Sequence, residues 1–161
     1  MTPSPAVRAV RPDSGLGALL QGAQFIDAYR VGTGEPGLEA RTAAQRMLSV
    51  SPAWVDALMR LRNLLVSPFG LKTPDPAATT DVDVIGIFPV VSATPRRVVL
   101  GFDDKHLDFR VVVDVANGDV TAATLVKTHN LLGRAYLATI LPFHRLVVRT
   151  MLGQAALKHL A

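Results

Sequence analysis

From Asp83 to Thr128 apolar and polar residues alternate with a period near two, and from Asn130 onward the spacing becomes helical. The alternating part divides into four expected strands, Asp83–Val91, Arg97–Phe102, His106–Ala116 and Asp119–Thr128. Asn117-Gly118 lies between the last two, a pair that favours a two-residue hairpin because both central positions take positive φ. An earlier run, Gln24 to Val31, reads as a first strand closed by Gly32, Gly34 and Gly37. Glu39–Ser49 has helix formers and few breakers, which predicts a short helix. Ser51-Pro52 signals the start of another. The serine can cap free amides, and proline at the first helical position forfeits no bond. That helix sets Trp54, Leu58, Leu61 and Leu65 on one face and stops at Ser67-Pro68. Residues 69–80 read as a loop.

In the C-terminal helix, Leu132, Tyr136, Ile140, Phe143, Val147 and Met151 form one stripe, and Leu137, Leu141, Val148 and Leu152 a second. A helix apolar over so much of its circumference is expected to be buried on more than one side. Pro142 predicts a kink or a restart within it. The order is one strand, two shorter helices, several antiparallel strands and one long helix. It predicts an α+β domain in which a curved antiparallel sheet grips the C-terminal helix. Residues 1–15, with Pro3, Pro5, Pro12 and Gly15, read as a loose arm, and 16–161 as a single domain. A chain of 161 residues, 49% hydrophobic and 19% charged, is right for one packed core.

Composition narrows the chemistry. The chain has no cysteine, which excludes disulfides, thiol nucleophiles and thiolate metal sites and agrees with a cytoplasmic location. Met1–Pro12 has no apolar signal-like stretch, and Ala135–Val148 is interrupted by Pro142, His144 and Arg145, so no membrane span is expected. The net charge of +4 is unevenly placed: after Asp119 there is no acidic residue, while Lys127, Arg134, Arg145, Arg149 and Lys158 follow. That asymmetry points either to an anionic partner or to a basic helix face balanced in space by the acid-rich strands. The cations are not interleaved with aromatic residues, which argues against nucleic acid.

In His106–Ala116, Leu107, Phe109, Val111, Val113 and Val115 share the face expected to meet the long helix. His106, Asp108, Arg110 and Asp114 share the other, which is ordinarily wet in an antiparallel sheet. His106 and Asp108 alternate as two metal ligands would, with His129 as the nearby third, but a lone His-x-Asp falls short of a zinc site. No metal or cofactor is expected. His129, where the last strand meets the helix, is the candidate acid/base. Asn130 beside it suits a helix cap. Thr124 and Thr128 are small enough to leave room beneath the helix, and Tyr136 could aim a hydroxyl there. Arg134, Arg145 and Arg149 could meet an anionic group. The serines lie in caps or loops without a hydrolase setting, and no phosphate loop is present.

Five stretches carry a resemblance: Ile85-Gly-Ile-Phe-Pro-Val90, His106-Leu-Asp-Phe-Arg110, Thr128-His-Asn130, Gly133 with Tyr136, and Pro142-Phe-His-Arg145. Together they resemble DUF2867, a family of uncharacterised bacterial proteins, over about Val7 to Leu152. The order of elements resembles the Bet v 1-like, helix-grip superfamily. That resemblance implies a cavity between sheet and helix that holds a hydrophobic ligand or is lined by a few catalytic groups. No dinucleotide role comes with it, because the chain lacks a glycine fingerprint. The expectation is a small hydrophobic or amphipathic metabolite bound among Trp54, Phe88, Phe109, Arg110, Thr128, His129, Asn130 and Tyr136. Two alternatives stay open. One is a cyclase, dehydratase or hydrolase using the same cavity with His129 as acid/base. The other is an interaction domain whose second helix stripe forms a homodimer.

Overall fold

The structure, a computed structural model, describes residues 6–49, 60, 83–86, 88–103 and 107–156. The described elements are strands β1 (Arg8–Ala9), β2 (Phe25–Gly32), β3 (Val84–Ile85), β4 (Phe88–Ala93), β5 (Arg97–Asp103), β6 (Leu107–Ala116) and β7 (Asp119–Thr128), with helices α1 (Ala40–Ser49) and α2 (Leu131–Ala155). A short 3-10 helix covers Ser14–Leu19. The strands form one antiparallel sheet in the order β1-β2-β7-β6-β5-β4-β3. The chain is therefore of the α+β class.

The β6–β7 hairpin is the centre of the sheet. Its register runs from Leu107 opposite Thr128 to Ala116 opposite Asp119. Asn117 and Gly118 close it at φ 53° and 82°, the two positive values that the Asn-Gly pair predicts. β2 then lies along the other side of β7, from Phe25 opposite Val126 to Gly32 opposite Asp119.

Alternation along each strand sorts the side chains onto two faces. On one, Tyr29, Val31, Val98, Leu100, Val113, Val120 and Ala122 pack against α1 and the end of α2. Ala40, Ala43, Ala44 and Met47 form the buried stripe of α1, at helical spacing, and the three alanines let the helix sit close to the sheet. α1 also holds the end of α2: Arg46 Nη1 donates to both oxygens of Glu35 at 3.1 Å and to the Ala155 carbonyl at 3.3 Å. A cation there opposes the partial negative charge at a helix C-terminus. From α1, Arg41 also donates two hydrogen bonds to Asp83, at 3.1 and 2.6 Å. They hold that carboxyl below its usual range, so the pair's contribution is present above the ordinary carboxylate pKa and fades as pH falls through the lowered one.

Several expectations need correction. The single strand predicted over Asp83–Val91 is two, β3 and β4, with Ile85 opposite Phe88 and Gly86 at φ 62°. Alternation continues across the reversal, so the pattern alone hides it. Part of the arm predicted to be loose is paired: Arg8 lies opposite Arg30, Ala9 opposite Tyr29, and Val10 N–H donates to the Ala28 carbonyl at 3.0 Å. The face of β6 expected to meet the long helix is covered mainly by α1, and of α2 only the end joins that core, while α2 otherwise lies over β2 and β7. The opposite face, expected to be wet, is covered at its middle: Leu16 and Leu20 bury Ala28, Val99, Val112, Ala123 and Leu125.

α2 departs furthest from its prediction. It is one helix from Leu131 to Ala155 with Pro142 inside and no restart. The freed carbonyl, that of Ala138, belongs to the solvent side, as does Pro142 itself, so the loss need not break the packed side. Nor is α2 buried on more than one side. Gly133, Met151, Leu152 and Ala155 are its buried residues, while Leu131, Phe143 and Leu146 are 79%, 52% and 53% exposed. By length and composition alone α2 would also suffice to cross a bilayer. The second helix predicted after Ser51, with Trp54, lies outside the described residues, as does His106.

Gly101 provides a direct test of the β5–β6 pairing. It lies opposite Arg110 at φ 151°, and a Cβ there would come 2.2 Å from the Phe109 carbonyl oxygen. Gly101→Ala is expected to destabilise the protein by about 2 kcal/mol or more in urea unfolding. Gly17→Ala, with open space around the added carbon and no positive φ, is expected to stay within about 0.5 kcal/mol of wild type.

Candidate functional site

The site lies where α2 crosses the edge formed by β2 and β7. On β2 the positions that share a face with Tyr29 are Phe25 and Asp27, and on β7 Thr124, Val126 and Thr128 are their counterparts on the face of Val120 and Ala122. These positions lie beneath α2. Between them is an open groove of about 350 Å³ lined by Gln24, Thr128, Arg134, Leu137, Ala138 and Leu141. Its floor is apolar, with polar groups at two places. Gln24 Oε1 accepts hydrogen bonds from Thr128 N–H at 2.9 Å and from the Thr128 hydroxyl, which fixes that end of the floor. Arg134 is exposed, and among the described residues no carboxylate pairs with it.

One helical turn beyond Leu141, His144 meets Asp27. His144 Nε2 lies 3.2 Å from Asp27 Oδ2 and 3.5 Å from Oδ1. Only the Oδ1 approach has the direction of a hydrogen bond, so Oδ2 is buried without a donor among the described residues. The Phe25 ring stands edge-on to His144 at 6.0 Å, and the Arg149 guanidinium lies 5.4 Å from the centroid of the Tyr29 ring. A carboxylate and an imidazole are thus enclosed between helix and sheet, next to an apolar groove. Such a pair can orient a proton or a polar ligand group.

The residues predicted from sequence are divided among several places. Thr128 lines the groove. Asn130 caps α2, its Oδ1 accepting from Gly133 N–H at 2.9 Å. Tyr136 is half-buried on α2 and is not among the groove-lining residues. Phe88 and Phe109 meet edge-to-face at 5.5 Å, and Phe88 packs on the core that α1 covers. Arg110 and His129 belong to the opposite face. Arg110 donates to Asp103 Oδ1 and to the Phe109 carbonyl, both at 2.8 Å, and His129 Nε2 lies 3.0 Å from Asp108 Oδ1. Asp108 and His129 pair with each other, and among the described residues no three metal-ligating side chains come together. Trp54 lies outside the described residues.

Sequence reasoning missed Gln24 and Asp27. Gln24 carries no signal, because its role depends on β2 pairing with β7. Asp27 does carry one. It is the sole acid in the run Phe25–Val31, at a position that shares its face with Phe25 and Tyr29, where a charge calls for a partner.

Removing one member of the buried pair costs more than removing both. His144→Leu alone is expected to destabilise the protein by about 1–3 kcal/mol, since it leaves the Asp27 carboxylate buried without its neighbour. Adding Asp27→Leu is expected to recover most of that loss, as two apolar side chains replace the pair. Urea unfolding of the two variants at neutral pH measures both.

No curated protein and no solved structure matches the chain. The model of the family described as protein of unknown function DUF2867 matches residues 19–151, a span that includes β2 to β7, both helices as far as Met151, the groove and the Asp27–His144 pair. By that match the chain belongs to the DUF2867 family.

Proposed function

We propose that the protein binds a small amphipathic molecule in the groove between α2 and the β2–β7 edge. The observation that carries this reading is the groove itself: an apolar wall of Leu137, Ala138 and Leu141, with Arg134 at its rim and, among the described residues, no carboxylate paired with it. Its volume of about 350 Å³ falls in the range of small-molecule sites. In this reading an apolar body lies against the leucines and an anionic end turns to Arg134. The fold order supports the same reading. A first long strand set beside the last, two hairpins beyond, and a C-terminal helix across the sheet is the arrangement expected of a Bet v 1-like, helix-grip domain. One fold serves many functions, so it is the groove that carries the reading.

A second reading, acid–base turnover of the bound molecule, is favoured by one observation. Asp27 and His144 lie one turn from the groove, and His129 does not face it. Mass spectrometry of small molecules recovered from wild type and from Asp27→Asn separates the two. The same molecule from both proteins means binding, and different molecules mean turnover.

Titration with a dansyl-labelled fatty acid, followed by fluorescence, tests the binding reading. Wild type is expected to give a saturable rise in emission. Ala138→Trp, an exposed position on the groove, is expected to abolish it without lowering thermal stability. Arg134→Gln is expected to weaken the carboxylate probe roughly tenfold or more, the scale of one charge-assisted hydrogen bond, and to spare an uncharged dansyl amide. An unsaturable signal, or one that Ala138→Trp leaves intact, contradicts the reading.

A further inference from the structure

We propose that the solvent face of α2 is a docking surface for an anionic lipid bilayer, on which the helix lies flat. Three features of that face converge. The first is its apolar content. Leu131, Ala135, Pro142 and Leu146 follow one another at helical spacing along a single line, all exposed, with Phe143 beside them. Leu131, Phe143 and Leu146 alone leave 79%, 52% and 53% of their surface in water. Soluble surfaces rarely gather such residues in one contiguous strip without a partner.

The second feature is charge. Arg134 and Arg145 stand on one shoulder of the strip, eleven residues apart and so on one line of the helix, and both are exposed. Among the described residues neither is paired with a carboxylate. Among the described residues the balance in space by acidic strands, left open by the sequence, does not reach them. Asp83, Asp103 and Asp114 are engaged with Arg41, Arg110 and Arg97, and Asp27 and Asp108 with histidines. No acidic residue follows Asp119 anywhere in the chain, so nothing on α2 repels a negative surface. Arginine at the flank of an apolar strip is the pattern of helices that lie in the interface of anionic membranes.

The third feature is the state of the other polar groups on this face. Thr139 and Thr150 donate their hydroxyls to the carbonyls of Ala135 and Leu146, at 2.8 and 2.9 Å. Their protons are used within the helix, so the strip presents no bare side-chain donor except its arginines. An acidic protein partner would share the charge complementarity. It would not need a strip of leucine, proline and phenylalanine along about two thirds of the helix, and a bilayer does. The helix stays on the sheet through Met151, Leu152 and Ala155, so it docks lengthwise and does not cross.

Vesicle flotation with the full chain tests this. The probes are vesicles of phosphatidylcholine alone and of phosphatidylcholine with phosphatidylglycerol. Binding is expected to the mixed vesicles, to fall with added salt, and to be weak on phosphatidylcholine alone. Phe143→Ser with Leu146→Gln, both exposed and outside the groove, is expected to lower the bound fraction at least about tenfold. Arg145→Gln is expected to lower it several-fold on the anionic vesicles only. Circular dichroism and the fatty-acid titration above should be unchanged in these variants, which separates this inference from the reading of the groove. It is overturned by no flotation at any phosphatidylglycerol content. Flotation that the variants leave intact overturns it too, as does retention on a heparin column without any binding to vesicles.

Discussion

The register of the β6–β7 hairpin is the constraint on which the rest of the structure depends. Side chains alternate from face to face along a strand, so a slip of one residue would exchange the two faces of β7 entirely. In the observed register Val120, Ala122, Thr124, Val126 and Thr128 look toward the helices, and Ala123 and Leu125 toward Leu16 and Leu20. All seven are buried. A turn with positive φ at both central residues holds that register without splaying the strands, and Asn117-Gly118 supplies it. β2 takes its own register from β7, and the groove follows, since Gln24 reaches Thr128 only when Phe25 lies opposite Val126.

Packing then divides the labour between two helices. α1 is small on its inner side and sits close over β5 and β6, where the sheet is densest with valine and leucine. α2 is anchored at its C-terminal end, by Met151, Leu152 and Ala155 in the core and by Arg46 at the Ala155 carbonyl. Toward its N-terminal end it is held more lightly, by the Asn130 cap and the Asp27–His144 contact. A helix fixed firmly at one end and loosely at the other leaves space beneath its free half, and that half is where Leu137, Ala138 and Leu141 overhang Thr128.

Much of the fold was legible in the sequence, and the reasons are local. β7 falls on the predicted residues because alternation, the Asn-Gly turn and the Asn130 cap bound it at both ends. α1 was predicted within one residue on helix formers alone. The β3–β4 reversal was not legible, because a hairpin that keeps the period of two looks like one strand. The exposure of α2 was not legible either. Apolar periodicity says that a stripe seeks an apolar partner, and cannot say whether the partner is the chain's own sheet. The site was harder still. Thr128 was found from its small size on an inward face, and Asn130 from its cap. Arg110 and His129 were assigned to a cavity by resemblance, although alternation already sets Arg110 on the other face of the sheet from Phe109, and His129 on the other face from Thr128. Gln24 enters only through the pairing of β2 with β7, a contact about a hundred residues apart in the chain.

The most direct test of the groove is residue-resolved. Two-dimensional amide spectra of the full chain, recorded while dodecanoate is added, would report where it binds. The account predicts that the largest shifts fall on Gln24, Thr128, Arg134, Ala138 and Leu141 and saturate together. Shifts gathered instead around Leu16, Leu20 and Val112 on the opposite face, or no saturable shifts at all, would contradict it.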